Sequence, residues 1–137
     1  MYENLTQHIP KLQDARFGEW VVDTQNDGTA EHPIHMPYVN YSDAVHSFQE
    51  DFYQFVMDSR NIELRQYQEI LEENGIKWDF NSMNSADVST LADRCVLALI
   101  LGAIRADRFS EGVLLRFLEV GAIQKWLKRL KAIDEAL

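Results

Sequence analysis

Hydrophobic residues form one uninterrupted run late in the chain, from Cys95 to Ile104, where every residue is apolar or glycine. A helix that is apolar on all sides needs neighbours on all sides. Ten residues extend only ~15 Å as a helix, about half the thickness of a bilayer core, so the run is too short to cross a membrane. We therefore predict a central core helix from about Ser85 to Asp107.

Apolar positions at helical spacing predict two helices before this run. The first follows Ser42, a natural N-cap, and its apolar stripe comprises Val45, Phe48, Phe52, Phe55 and Val56. The second begins near Asn61 and ends just before Gly75. If Gly75 follows the C-cap, Ile76 should contact Leu71 in a Schellman ending.

Two more helices are predicted after the run. Ser110 is expected to cap the first, with Glu111 in its first turn and Gly121 at its end. Gly112 would be about its second residue, where a missing Cβ would allow the central helix to approach closely. The last helix, 123–136, has two faces: Ile123, Trp126, Leu127, Leu130 and Ile133 are expected inward, and Gln124, Lys125, Lys128 and Lys131 outward.

The first forty residues are less regular. Leu5, Ile9 and Leu12 have helical spacing, but Pro10 disrupts it, so we predict one short or kinked helix ending near Arg16. The β-prone residues 20–22 precede a turn-rich stretch at 23–29, and prolines follow at 33 and 37. The fold class is therefore mainly α: one helical domain of about five helices over 1–137, with a small irregular or β-hairpin insertion near 17–40.

Composition supports a globular protein. The chain has 137 residues, 46% of them hydrophobic, which is enough for a core without disulfides or metal. Cys95, the single cysteine, lies inside the apolar run and is expected to be a core side chain. The N-terminal stretch shows no signal peptide, so we predict a cytoplasmic protein without a membrane segment.

Charge is distributed unevenly along the chain. The net charge is −9, yet residues 1–90 carry 16 acidic and 5 basic side chains, whereas residues 91–137 carry 6 and 8. Such an acidic surface repels nucleic acid over most of the molecule. The helices around Gly121 superficially resemble a helix-turn-helix, but their outer face lacks long base-reading side chains, so the sequence argues against nucleic acid as the partner.

The octapeptide Arg-Ala-Asp-Arg-Phe-Ser-Glu-Gly at 105–112 resembles the hallmark of an uncharacterised bacterial domain family, Arg-Ala-Glu-Arg-Phe-Cys-Asp-Gly after a hydrophobic helix. The later glycine and leucine-rich helix, and the earlier Pro37-Tyr38 before an aromatic-rich helix, extend the resemblance over roughly 38–133. It implies no particular activity. This chain differs at Asp107, Ser110 and Glu111, and the absence of the family's cysteine argues against thiol chemistry. Within the hallmark we expect Phe109 to be buried between the central helix and the last two.

Three arginines form a second feature of the central helix. Arg94, Arg105 and Arg108 share one stripe at spacings of three and four residues, together with Ala98 and Leu101. They either pair with carboxylates of the acidic first 90 residues, which we favour, or form a site for an anion or a partner.

Histidines offer a metal site as a weaker hypothesis. His32 and His35 flank a Pro-Ile pair, and His46 shares a helix face with Asp43 and Glu50. Neither spacing is a recognised zinc pattern, and we expect no metal and no cofactor.

The sequence predicts a bacterial helical domain that acts as a non-catalytic interaction or regulatory module. Its partner would be an unknown protein or a second copy of the chain. Two alternatives stay open: a helix-turn-helix-like DNA-associated protein, and a metal- or anion-dependent hydrolase.

Overall fold

The computed structural model describes residues 1–13, 16–22, 28–31, 36–58 and 64–136. These residues are mainly helical, with one small antiparallel hairpin. The elements in chain order are α1 (Glu3–Thr6), α2 (Ile9–Gln13), β1 (Gly18–Val21), β2 (Tyr38–Tyr41), α3 (Asp43–Asp58), α4 (Tyr67–Glu73), α5 (Phe80–Ser85), α6 (Asp93–Ala106), α7 (Val113–Glu119) and α8 (Ala122–Glu135).

The prediction of about five helices is too low, because two segments are divided further. The N-terminal helix is interrupted at Gln7 and His8. Pro10 lies in the first turn of α2, where backbone N–H groups make no intrahelical hydrogen bond, so a proline without an N–H is tolerated there. The segment before α6 contains α5 and a 3₁₀ turn. Asp79 and Asp87 cap them by accepting from Ser82 N–H at 2.7 Å and Ser89 N–H at 3.0 Å.

The central helix is α6, as predicted, although it begins at Asp93 and not at Ser85. Every residue from Cys95 to Ile104 is buried. Helices α4, α7 and α8 all pack against it. Among the described residues, no helix combines the length and apolar character that a membrane crossing requires.

The end of α4 confirms the predicted Schellman motif. Gly75 N–H donates to Glu72 O at 3.0 Å, and Ile76 N–H donates to Leu71 O at 2.9 Å. Both apolar side chains are buried, as this ending requires. The predicted start of the helix near Asn61 lies outside the described residues.

The N-terminal segment is tied to three helices. Tyr2 N–H donates to Asp134 Oδ2 of α8 at 2.7 Å, and the Tyr2 hydroxyl donates to Asp93 of α6. His8 is buried and its Nε2 lies 2.7 Å from Asp51 Oδ2 of α3. These contacts fix α1 and α2 across the end of the core.

The hairpin occupies the predicted position. Trp20 pairs with Val39 and Gly18 with Tyr41, so these four residues share one face. Val39 is buried and Tyr41 partly buried, which shows that this face points toward the helices. Most of the predicted turn, and Pro33 between the strands, lie outside the described residues.

The segment between α6 and α7 differs from the prediction. Ser110 is exposed and does not cap α7, because α7 begins at Val113 and its N-cap is Gly112. The caps come from Asp107, whose Oδ1 accepts from Gly112 N–H at 3.0 Å and Leu114 N–H at 3.1 Å. Glu111 lies before the helix, and its Oε1 accepts from Val39 N–H of the hairpin at 2.9 Å.

Gly112 is required for a reason other than the one expected. Its φ is +90°, a conformation that favours glycine. A Cβ there would lie 2.2 Å from Cζ2 of Trp20, so the close neighbour is the hairpin tryptophan and not the central helix.

Helix α8 is two-faced, with one correction. Ile123, Trp126, Leu127 and Leu130 are buried, and Ile133 is partly buried. The three lysines are exposed as predicted, but Gln124 is buried. It lies in the first turn, where the side chain reaches the carbonyl groups of Leu12 and Leu118.

Gly112→Ala is expected to lower the free energy of unfolding, although alanine has the better helix propensity. Gly121→Ala is the matched control, since Gly121 also has positive φ (+80°) but has open space where its Cβ would lie. The control should cost about 1 to 2 kcal/mol from backbone strain alone. Gly112→Ala should cost more, because the Trp20 ring must also move.

Urea unfolding of both variants, with and without Trp20→Ala, checks this prediction. Removing the ring should bring the cost of Gly112→Ala down to that of Gly121→Ala. A Gly112→Ala protein at least as stable as the wild type would contradict it.

Candidate functional site

The three candidate arginines do not form one site. Arg94 is exposed in the first turn of α6, whereas Arg105 is in the last. They are eleven positions apart, or ~16 Å along the helix axis. Arg105 and Arg108 remain as neighbours at the C-terminal end of α6.

The described carboxylates do not provide the ion pairs that we favoured for these arginines. Within the described part of the chain, ion pairs join the N-terminal amine to Glu3 and Asp134, and the remaining contact of this kind is a hydrogen bond between His8 and Asp51. Arg105 Nε is buried without a hydrogen-bond partner. Among the described residues, the one acceptor of Arg108 is the hydroxyl of Tyr53, 3.5 Å from Nη2. Two guanidinium groups are thus left with unused donors.

Phe109 is 79% exposed, so the prediction that it is buried is wrong. Its ring meets Trp78 edge to face, with the centroids 5.8 Å apart. Trp78 is itself fixed, because its Nε1 donates to Gly102 O at 2.9 Å and its ring contacts Tyr67. Phe109 therefore rests on an ordered aromatic neighbour while most of its surface faces solvent.

The turn that carries Phe109 is fixed by Asp107 and Tyr41. Besides capping α7, Asp107 Oδ1 accepts from the Tyr41 hydroxyl at 2.9 Å. The same hydroxyl accepts from Leu115 N–H at 3.0 Å. Burial, followed by the charge of Asp107, raises the pKa of Tyr41 well above its ordinary value. One carboxylate thereby joins α6, α7 and the hairpin.

We define the Phe109 surface as Tyr53, Trp78, Arg105, Arg108 and Phe109. It combines a large exposed aromatic side chain with guanidinium donors that have few protein acceptors. Arginine forks bind carboxylate and phosphate oxygens, and aromatic and arginine side chains are enriched at protein interfaces. The surface is therefore suited to a ligand that carries both apolar and anionic groups.

The sequence identified the arginines and Phe109 but not the residues that arrange them. Trp78, Tyr41 and Tyr53 were not among the predicted site residues. Their contacts span 24 to 66 positions of the chain, and no local pattern encodes them.

The metal hypothesis gains no support from the described residues. No group of three or more His, Cys, Asp or Glu side chains there is placed to hold a metal ion. His46 is exposed on α3, and His32 and His35 lie outside the described residues.

The architecture is that of a mainly helical domain with a two-stranded hairpin attached near the end of its central helix. The chain belongs to a family of unknown function, DUF6508, whose family model matches residues 2–136. This confirms the resemblance to an uncharacterised family, while the octapeptide hallmark stays a prediction. No curated protein and no solved structure matches the chain.

Tyr41 should make stability sensitive to alkaline pH. Its folded pKa is raised, whereas an unfolded tyrosine ionises near the ordinary value of 10.0. Its contribution is therefore fully present below about pH 10 and is lost as pH rises further. Tyr41→Phe should lower stability at neutral pH and make the alkaline decline shallower.

Urea unfolding between about pH 8 and pH 11 measures both effects. Tyr38→Phe is the control, because Tyr38 lies half exposed on the same strand. Identical pH profiles for wild type and Tyr41→Phe would show that Tyr41 is not held in its protonated form.

A substitution of Arg105 distinguishes a role in anion binding from a role in stability. If Arg105 is kept for an anionic group, Arg105→Gln should leave the melting temperature unchanged or raise it. Citrate or phosphate should stabilise the wild type saturably by binding the folded state, and this rise should disappear in the variant.

Arg94→Gln, on the same helix but ~16 Å away, should keep the anion effect. Melting curves over an anion titration decide the matter. A large loss of stability in Arg105→Gln with no saturable anion effect in the wild type would assign Arg105 a structural role.

Proposed function

We propose that this protein is a non-catalytic interaction module whose Phe109 surface binds an acidic, partly apolar segment of a protein partner. The observation that carries the proposal is the exposure of Phe109, 79%, on a turn that is otherwise fixed by hydrogen bonds. An exposed phenylalanine gives up the gain from burial in the free protein. Its contact with a partner would recover that gain.

The turn that carries Phe109 is already fixed in the free protein, and this favours tight binding. Association costs free energy when flexible side chains and loops must be immobilised, and a fixed turn has little of that cost left. Asp107, two residues before Phe109, already accepts from the backbone N–H groups of Gly112 and Leu114 after it, and the Phe109 ring already contacts Trp78. Phe109 thus has the properties of an interface anchor: large, apolar and preorganised.

The arginines define the chemistry of the partner. A carboxylate next to the bound apolar side chain would accept from the guanidinium group of Arg108, which directly precedes Phe109 and whose one described acceptor is the Tyr53 hydroxyl. The net charge of −9 favours a partner that is basic elsewhere, so the carboxylate contact is expected to be local.

The proposal extends to the domain organisation of the chain and to its cellular location. We propose that residues 1–137 form one domain, supported by a single cluster of buried hydrophobic residues that joins the N-terminal helices to α8. A bacterial, cytoplasmic setting is supported by the family resemblance and by Cys95, a buried free thiol.

DNA association is the weaker alternative. Exposed lysines on α8 favour it, but the acidic remainder of the chain opposes the electrostatic term on which DNA affinity depends. Retention on heparin at moderate salt would favour this alternative.

Phe109→Ala tests the proposal. Because the side chain is exposed, the variant should change the free energy of unfolding by less than ~1 kcal/mol. Phe117→Ala, at a fully buried position of α7, should cost ~3 to 5 kcal/mol. Native mass spectrometry of the purified wild-type protein should show a bound partner that Phe109→Ala has lost.

Met57→Ala is the matched control for binding. Met57 is 69% exposed on α3 but is not part of the Phe109 surface, so this variant should keep the partner. Retention of the partner by Phe109→Ala, or its loss from both variants, would refute the assigned surface. A doubled mass that disappears with Phe109→Ala would identify the partner as a second copy of the chain.

A further inference from the structure

The hairpin has two outer edges, and the described chain makes hydrogen bonds to only one of them. Val39 N–H points away from β1, because it donates to Glu111 of the turn before α7 at 2.9 Å. Val39 is paired with Trp20, and backbone groups alternate along an antiparallel ladder, so Trp20 points its N–H and C=O away from β2. The hydrogen bond from Ser42 N–H to Phe17 O, at 2.8 Å, agrees with the same alternation.

The free edge of β1 is therefore formed by the backbone groups of Gly18, Trp20 and, one residue past the strand, Val22. No described residue donates to or accepts from these groups. Exposed strand edges are usually protected by a lysine, a proline, a bulge or a covering segment. Residues 18–22 contain no lysine or proline, and the ladder with β2 has no bulge. This edge can consequently accept a further strand.

The side chains along this edge are mostly apolar and exposed. Trp20 is 49% exposed and Val22 58%. Trp20 also borders an open cleft of about 340 Å³ beside α7, so there is space next to it. The one charged side chain of residues 18–22 is Glu19. A strand that pairs here would cover two apolar side chains, provided that no carboxylate lies opposite Glu19.

We propose that β1 pairs with β1 of a second copy of the chain, antiparallel and about a two-fold axis at Trp20. The two hairpins then form one four-stranded sheet, which is more stable than an isolated two-stranded one. Each Gly18 lies opposite Val22 of the other chain, so three residues of each edge exchange hydrogen bonds. Val21 of one chain lies opposite Glu19 of the other, and the two Trp20 rings form a cross-strand aromatic pair.

Charge selects this register over its neighbours. It is the register that pairs all of residues 18–22. A shift by two residues toward the start of the chain places Glu19 opposite its own copy, and like charges directly opposite are destabilising. A shift by two residues the other way places Glu19 opposite Asp23. The edge is thus complementary to itself, which identifies a second copy as its occupant.

Sedimentation equilibrium of the full chain tests the pairing. The wild type should form a dimer that dissociates on dilution from millimolar to micromolar concentration. Val22→Pro removes an edge N–H and places a ring against the second strand, so the dimer should weaken at least about tenfold. Val22→Thr keeps the N–H and the branched side chain and should dimerise like the wild type. Circular dichroism should show both variants folded, because Val22 N–H has no acceptor in the described chain.

A charge exchange at Val21 tests the register. Val21→Lys places an ammonium group opposite Glu19 of the other chain, whereas Val21→Glu places a carboxylate there. The lysine variant should dimerise at least about tenfold more tightly than the glutamate variant. Met57→Lys and Met57→Glu are the control for net charge, because Met57 is exposed on α3, and they should differ much less.

Three outcomes overturn the proposal: a wild type that stays monomeric at millimolar concentration, unchanged dimerisation of Val22→Pro, or equal dimerisation of the two Val21 variants. Phe109→Ala should leave this dimer intact, because Phe109 is not part of the β1 edge. A dimer lost with Phe109→Ala but kept with Val22→Pro would support the Phe109 surface and refute the β1 pairing. Failure of the β1 pairing is thereby distinguishable from failure of the proposed partner binding.

Discussion

The constraint on which the structure depends is the complete burial of α6. All residues from Cys95 to Ile104 are buried, so every side of this helix must be covered by another part of the chain. Helices α4, α7 and α8 supply most of the cover, and the Trp78 indole closes the position beside Gly102. Only the ends of α6 can carry charge. The arginines are consequently confined to its first and last turns.

At the C-terminal end of α6, the carboxylate of Asp107 accepts hydrogen bonds from both the start of α7 and the hairpin. α7 has only seven residues, so its uncapped N–H groups would be a large part of its backbone. Asp107 caps it and also accepts from the hairpin hydroxyl of Tyr41. Since the turn closes inward through Asp107, the intervening Phe109 is left on the outside. Its exposure thus follows from how the helix junction is built.

The sequence predicted what local patterns determine. The apolar run identified the central helix, and the spacing of Leu71, Gly75 and Ile76 identified a Schellman ending, since each signal is contained in a few consecutive residues. The predictions failed where residues far apart in the chain decide the local structure. Both Ser110 and Asp107 are chemically able to cap α7, and only the position of the hairpin selects Asp107. The partner of Gly112 is Trp20, 92 positions away, which no local spacing reveals.

Several buried polar atoms of the described residues have no hydrogen-bond partner, and their residues differ in how accessible they are to a ligand. His8 Nδ1 and Trp126 Nε1 also lack partners, but both side chains are completely buried, so a ligand has no access to them. Arg105 Nε and Gln124 Oε1 have no accessible surface either, but Arg105 is partly exposed through its other atoms, whereas Gln124 is buried. An unsatisfied buried atom costs ~1 to 3 kcal/mol in the free protein. A partner can recover that cost only where the side chain is accessible, and of these four residues only Arg105 is partly exposed, so the C-terminal end of α6 is the position at which the fold favours recognition.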